Sequence, residues 1–105
     1  MSQHWTSTLG LVQRAGALVT GEEQVIKAIQ SNKAKLVIVA SDASSGTLKK
    51  MTDKTTFYRV RLAVVSDRET LGHALGKHER VSIAVMDQGF ATSIMNRIQK
   101  ELDGQ

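Results

Sequence analysis

Residues 36–40 read Leu-Val-Ile-Val-Ala, an apolar run with no polar interruption. A strand with one wet face alternates apolar and polar side chains. An unbroken run instead marks a strand covered on both faces, at the centre of a sheet with helices above and below. The rest of the chain supplies those partners. Helical and strand patterns alternate along it, with no proline, no low-complexity segment and no internal repeat. That alternation predicts an α/β domain.

The first helix is expected from about Ser7 to Ala15, with Trp5, Leu9 and Val12 on one face and Gly16 as a left-handed end. Residues 17–21 form a short strand and turn. At 100° per residue, the helix after it places Val25, Ala28 and Ile29 on one face. Glu23, Gln24, Lys27 and Gln30 share the other. A third helix is expected from about Ser45 to Thr56, with Leu48, Met51 and Thr55 inward and Lys49, Lys50 and Lys54 outward. Residues 61–65 and 82–86 read as further strands. Between them lies a helix capped by Ser66, with Glu69 reaching back, that buries Leu71, Ala74 and Leu75 and stops at Gly76. Asp87 caps a last helix whose apolar face is Phe90, Ala91, Ile94, Ile98 and Leu102. Helices separate all four strands, so the sheet is small, partly parallel and sandwiched between two helical layers.

Size and composition narrow the function. The 105 residues suffice for one domain, 1–105, and are too few for two. No run approaches the roughly 18 apolar residues of a membrane span, and no signal peptide is visible. The absence of cysteine excludes disulfides and thiolate metal sites and fits a reducing cytoplasm. A net charge of +4 and a pI near 9.7 point toward a polyanionic partner.

Enzyme constellations are missing. His4, His73 and His78 do not stand at metal-ligand spacing and read as surface residues, so neither a metal nor a cofactor is expected. Asp42 follows the central strand, where α/β enzymes often place functional groups, but without a second acidic cluster it reads as a turn or cap. Residues 46–50, Gly-Thr-Leu-Lys-Lys, do not make a phosphate loop.

Two segments carry more information. Thr20-Gly21-Glu22-Glu23 fits a capping box, with Thr20 as N-cap and Glu23 at the third helical position. Glu23 can also pair with Lys27 one turn on. This accounts for the acids and leaves Gln24, Lys27 and Gln30 able to meet base edges or phosphates. The second segment is Gly-Lys-His-Glu-Arg-Val-Ser at 76–82. Lys77 and Arg80 can contact phosphates and Val81 can face an unstacked base. Equally, the segment can be a solvated turn with Val81 in the core.

The stretches LVTGEEQVIKAIQSNKAKLVIVASDAS, LGHALGKHERVSIAV and DQGFA together resemble the kink-turn-binding ribosomal protein family called L-seven-Ae and L-thirty-e, over Leu9 to Ala91. The resemblance implies a three-layer α/β/α sandwich around a four-stranded mixed sheet. It also implies a non-catalytic, ribosome-associated protein that binds structured RNA, the kink-turn. The family motif, Gly-x-Asn-Glu-x-x-Lys, falls on Gly21 to Lys27. Gly21 and Lys27 match; Glu23 stands at the asparagine position and Gln24 at the glutamate position. The amide of Gln24 still accepts and donates, whereas Glu23 has no donor and adds a charge that RNA repels. The acids imply tuned or weakened binding, or a different RNA shape. The resemblance further assigns Ser44 and Leu48, then Lys77, Arg80, Val81 and Ser82, to the surroundings of an extruded base, with the acid Glu79 among them. Glu22, Glu23 and Glu79 also leave room for an alternative: a protein-interaction module on the same fold, with weak or no RNA binding.

Overall fold

A computed structural model describes residues 5–104, which contain five helices and four strands in one sheet. The elements are α1 (Ser7–Arg14), β1 (Leu18–Thr20), α2 (Glu22–Gln30), β2 (Leu36–Val39), α3 (Ser45–Tyr58), β3 (Arg61–Val64), α4 (Arg68–Ala74), β4 (Ser82–Val85) and α5 (Gln88–Asp103). The strand order is β1-β4-β2-β3. β2 runs parallel to β3, and β4 is antiparallel to both β1 and β2.

The apolar run at 36–40 does what its pattern requires. β2 is buried along its whole length, and so is β4 beside it. Side chains alternate between the faces. Leu36 and Ile38 of β2 join Ile83 and Val85 of β4 in one core, under Leu9 and Val12 of α1, Leu71 of α4 and Ile94 and Ile98 of α5. Val37, Val39 and Ala84 point the other way, into a second core closed by Val25, Ala28 and Ile29 of α2 and Met51 of α3. The result is the expected three-layer α/β/α sandwich with a mixed sheet. Each large aliphatic side chain sealed in these layers contributes about 1.5–3 kcal/mol of transfer free energy.

The strands at the two edges are less covered. β1 is half-buried throughout, and on β3 only Ala63 is fully buried. Leu102 is the exception on α5: it is 59 % exposed, on the rim of a cleft shared with Trp5, Val64 and Ile98. Leu48 and Lys54, expected inward and outward, are both half-buried on α3.

Two expected caps shift. Thr20 does not cap α2. It stays in β1, opposite Ile83, and Gly21 is the N-cap, with φ 94° and no side-chain bond. Ser66 does not cap α4. It takes a left-handed φ of 65°, and its carbonyl accepts from the Ser41 amide. Asp67 caps instead, accepting from the Thr70 amide at 2.7 Å and the Thr70 hydroxyl at 3.1 Å. Those bonds hold the Asp67 carboxyl below its ordinary pKa. In both cases the turn out of a strand consumes one more residue than the local pattern suggests. Gly16 takes the left-handed conformation after α1 as expected, and Gly76, where α4 was expected to stop, takes it too. Asp87 caps α5 through the Phe90 amide.

Asp42 has a structural task. Its carboxylate accepts from the Arg68 amide at 3.1 Å and lies 3.4 Å from Arg68 Nε, tying the turn after β2 to the start of α4. His73 and His78 are exposed, and His4 lies outside the described residues. Among the described residues no group of histidine and acidic side chains could hold a metal ion, and no helix is long and apolar enough to cross a membrane.

Candidate nucleic-acid interface

Three chain segments meet at the end of the sheet where β2 finishes and β4 begins. The first is the turn from β1 into α2. The Gly21 amide donates to the Ser82 carbonyl at 3.2 Å, and Gly21 accepts from the Val25 amide at 2.9 Å. Its φ of 94° and ψ of 141° suit glycine and strain any other residue. The second is the loop 76–82. Ala40 donates to the Val81 carbonyl at 2.8 Å, which moors the loop to the end of β2. Gly72 of α4 packs against its other side; a Cβ there would lie 2.6 Å from Glu79 Cα. The third is the start of α3, capped by Ser44, whose hydroxyl accepts from the Thr47 amide at 3.2 Å.

These segments enclose a cleft of about 290 Å³, lined by Gly21, Glu22, Thr47, Glu79, Arg80, Val81 and Ser82. Segments some 60 residues apart in sequence therefore share one concave surface, as the Arg80 to Thr20 bond records. Arg80 Nε donates to Thr20 Oγ1 at 3.2 Å and Nη1 to the Glu79 carbonyl at 2.6 Å. Nη2 has no hydrogen-bond partner among the described residues. The guanidinium is thus oriented by two bonds and still has donors for an anion.

Glu22, not Glu23, is the acid of α2 that faces the cleft. Its Oε1 accepts from Thr47 Oγ1 at 3.2 Å and its Oε2 from Lys50 Nζ at 2.7 Å. The Lys50 hydrogen bond, with the Lys50 charge and the Thr47 bond, holds the Glu22 carboxyl below its ordinary pKa against the opposing effect of desolvation. Glu23 is exposed and forms no ion pair with Lys27 among the described residues.

The expected site residues divide. Gly21, Arg80, Val81 and Ser82 line the cleft. Val81 is half-buried, between the two alternatives for it. Ser82 is only 2 % exposed, so little of it is open to the cleft. Glu23, Gln24 and Lys27 lie on the exposed face of α2 outside the lining, Lys77 is exposed beyond it, and Leu48 packs against the second core. Ser44 stands one hydrogen bond from the lining through Thr47. Thr47 itself went unrecognised in the sequence. Its signal was the spacing Ser44-x-x-Thr47, which makes Ser44 an N-cap and turns the Thr47 hydroxyl toward the acid across the cleft.

Residues 3–95 match the sequence profile of the ribosomal protein L7Ae/L30e/S12e/Gadd45 family. The chain belongs to this family. It is 48 % identical over 92 residues to a Bacillus subtilis (strain 168) protein named RNA-binding protein YlxQ, a match covering 88 % of this chain and 92 % of that protein. The solved structure of a protein of unknown function from Bacillus halodurans C superposes with a TM-score of 0.89 at 48 % identity, covering 93 % of this chain and 99 % of that one. The Giardia lamblia 15.5kD RNA binding protein superposes with a TM-score of 0.78 at 15 % identity, covering 95 % and 89 %. At that identity the likeness concerns the fold.

Proposed function

We propose that this chain is a non-catalytic cytoplasmic RNA-binding protein of one domain that recognises structured, kink-turn-like RNA and associates with the ribosome. The observation that carries this reading is the shared cleft. The N-terminus of α2 and the loop 76–82 open onto one surface, so one bent RNA can touch both. The Bacillus subtilis relative is named as an RNA-binding protein, which supports the choice of partner.

In this reading α2 enters the groove at the bend. Gln24 offers an amide that can accept from and donate to base edges, and Lys27 meets a base or a phosphate. The helix N-terminus adds free backbone amides and a positive field. Arg80 presents its unpartnered Nη2 to a phosphate. Val81 gives an unstacked nucleotide an apolar contact, with Ser82 closing the floor. Lys50 neutralises Glu22, which would otherwise repel the backbone. Ser44, Leu48 and Lys77 frame the cleft from its margins.

The test is a titration with a kink-turn RNA and with the same strand lengths paired as a continuous duplex. The expected result is at least tenfold preference for the kink-turn and a steep loss of affinity with salt through counterion release. Equal affinity for both RNAs would overturn the kink-turn assignment. One observation favours the second reading, a protein-interaction module: Glu22 and Glu79 both line the cleft, where an RNA ligand gains nothing from carboxylates. No binding to either RNA at low salt would favour it.

A further inference from the structure

The opposite end of the sheet holds a second basic cleft that the first site does not use. β2 begins beside Lys35, β3 begins at Arg61 in register with Leu36, and α3 ends at Tyr58. Lys35, Arg59, Arg61, Tyr58, Asn32 and Gln88 line a cleft of about 330 Å³ there. Three of its lining residues are cations and none is acidic. Lys35, Arg59 and Arg61 are exposed and make no ion pair among the described residues. Lys49, Lys50 and Arg68, by contrast, each have a carboxylate partner.

Next to this cleft stands Phe57, 77 % exposed on the last turn of α3. Its ring lies 4.9 Å from that of Tyr58, edge to face, at an interplanar angle of 72°. Tyr58 lines both the basic cleft and a neighbouring one of about 400 Å³ shared with Lys50, Asp53, Lys54 and Phe57. The two clefts adjoin at Tyr58 as one strip, and Asp53, the one carboxylate among their lining residues, is paired with Lys49 at 3.1 Å. Edge-strand protection accounts for a charge at Arg61. It does not account for Phe57, since a ring left in water costs free energy that a polar residue would not.

We infer that this strip is a second RNA-binding surface, which seats a single strand by phosphate contacts to Lys35, Arg59 and Arg61 and by stacking of a base on Phe57. Uncompensated cations beside an exposed ring are the recurring chemistry of sequence-tolerant single-strand binding. Tyr58 supports the Phe57 ring from its edge, so the platform is ordered before a base arrives. Thr47 in the first cleft and Tyr58 in the second stand on one helix, about 16 Å apart at the α-helical rise. The two surfaces lie at opposite ends of the sheet, so a strand seated on this one leaves the first cleft open. The inference stands apart from the kink-turn reading and survives if that reading fails.

The experiment is fluorescence anisotropy with a labelled oligouridylate of about 12 nucleotides, within the site size of such surfaces. The Lys35→Ala, Arg61→Ala double variant is expected to lose about tenfold in affinity and to flatten the salt slope by about 1.4, the value for two phosphate contacts on a single strand. Phe57→Ala is expected to lose about tenfold. Phe57→Trp is expected to keep the affinity, with its indole emission quenched on binding. Lys27→Ala, in the first site, is expected to leave oligouridylate affinity within about twofold, which separates the two surfaces. No oligouridylate binding, or no loss in either the double variant or Phe57→Ala, would overturn the inference. So would equal binding of a polyglutamate of the same length, which would make the strip a protein-binding surface.

Discussion

Lys50 Nζ lies 2.7 Å from Glu22 Oε2, so a cation on the second turn of α3 covers the acid that opens α2. This pair joins two helices of the same layer at the mouth of the cleft. It removes one of the two carboxylate charges that an RNA backbone would meet there; Glu79 is the other. It also fixes the start of α3 against the start of α2, through Thr47 as well as Lys50.

The pair makes stability depend on pH in one direction. The Glu22 pKa is lowered in the folded chain from its ordinary 4.5. A depressed carboxyl stabilises the fold above its unfolded pKa, and that contribution disappears as pH falls through the folded value. Glu22→Gln is therefore expected to cost no more than about 1 kcal/mol near neutral pH, as for exposed ion pairs. The gap from the parent chain should close below pH 4.5 and also in about 1 M salt. Urea titrations from pH 3 to 7 measure it; a gap that persists in acid would rule out the ion pair as its source.

Lys27 is exposed and outside both cores. Lys27→Ala is expected to weaken kink-turn RNA about tenfold, reduce the salt slope by about 1 and leave the melting temperature unchanged. Calorimetric titration at several salt concentrations gives the affinity and the salt slope, and a thermal melt gives the third quantity. Unchanged affinity would remove Lys27 from the interface.

Glu23 stands where the family motif has asparagine, and no ion pair neutralises it among the described residues. Glu23→Asn removes a charge and supplies a donor in one step. The expected outcome is a gain of about five- to tenfold in kink-turn affinity, read by gel shift at fixed salt. Weaker binding would show that the acid itself makes a favourable contact.

Gly72 has the closest backbone approach in the site, with Glu79 Cα 2.6 Å from where a Cβ would stand. Gly72→Ala forces the backbone of 78–79 away from α4. We expect a loss of about 1–3 kcal/mol and a melting temperature lower by roughly 4–8 °C for each kcal/mol. RNA affinity should fall with it, because Arg80 and Val81 follow the loop. An unchanged melting temperature would mean that the loop is free to move.

Much of this architecture could be read residue by residue. The unbroken run at 36–40 demanded a doubly covered strand, and the spacing of Val25, Ala28 and Ile29 demanded one buried stripe; both are buried as expected. These features repeat with the period of the element that bears them, so a single chain segment reveals them. Caps were less legible. Thr20 and Ser66 have good capping chemistry, but sheet pairing holds Thr20 in β1 and a left-handed turn takes Ser66, shifting each helix start by one residue. A local pattern does not register how far the neighbouring strand extends.

The sequence by itself determined the layers, through two apolar periodicities, and placed Gly21, Lys27 and Arg80 on surface turns and faces. Only the tertiary structure decided which of them meet. Arg80 reaches Thr20 because β4 lies beside β1 in the sheet, and Glu22 is neutralised because α2 and α3 share one face of that sheet. Such contacts follow from the order of strands, which no local periodicity encodes. The pairing of distant segments is set by how both faces of β2 and β4 are buried together.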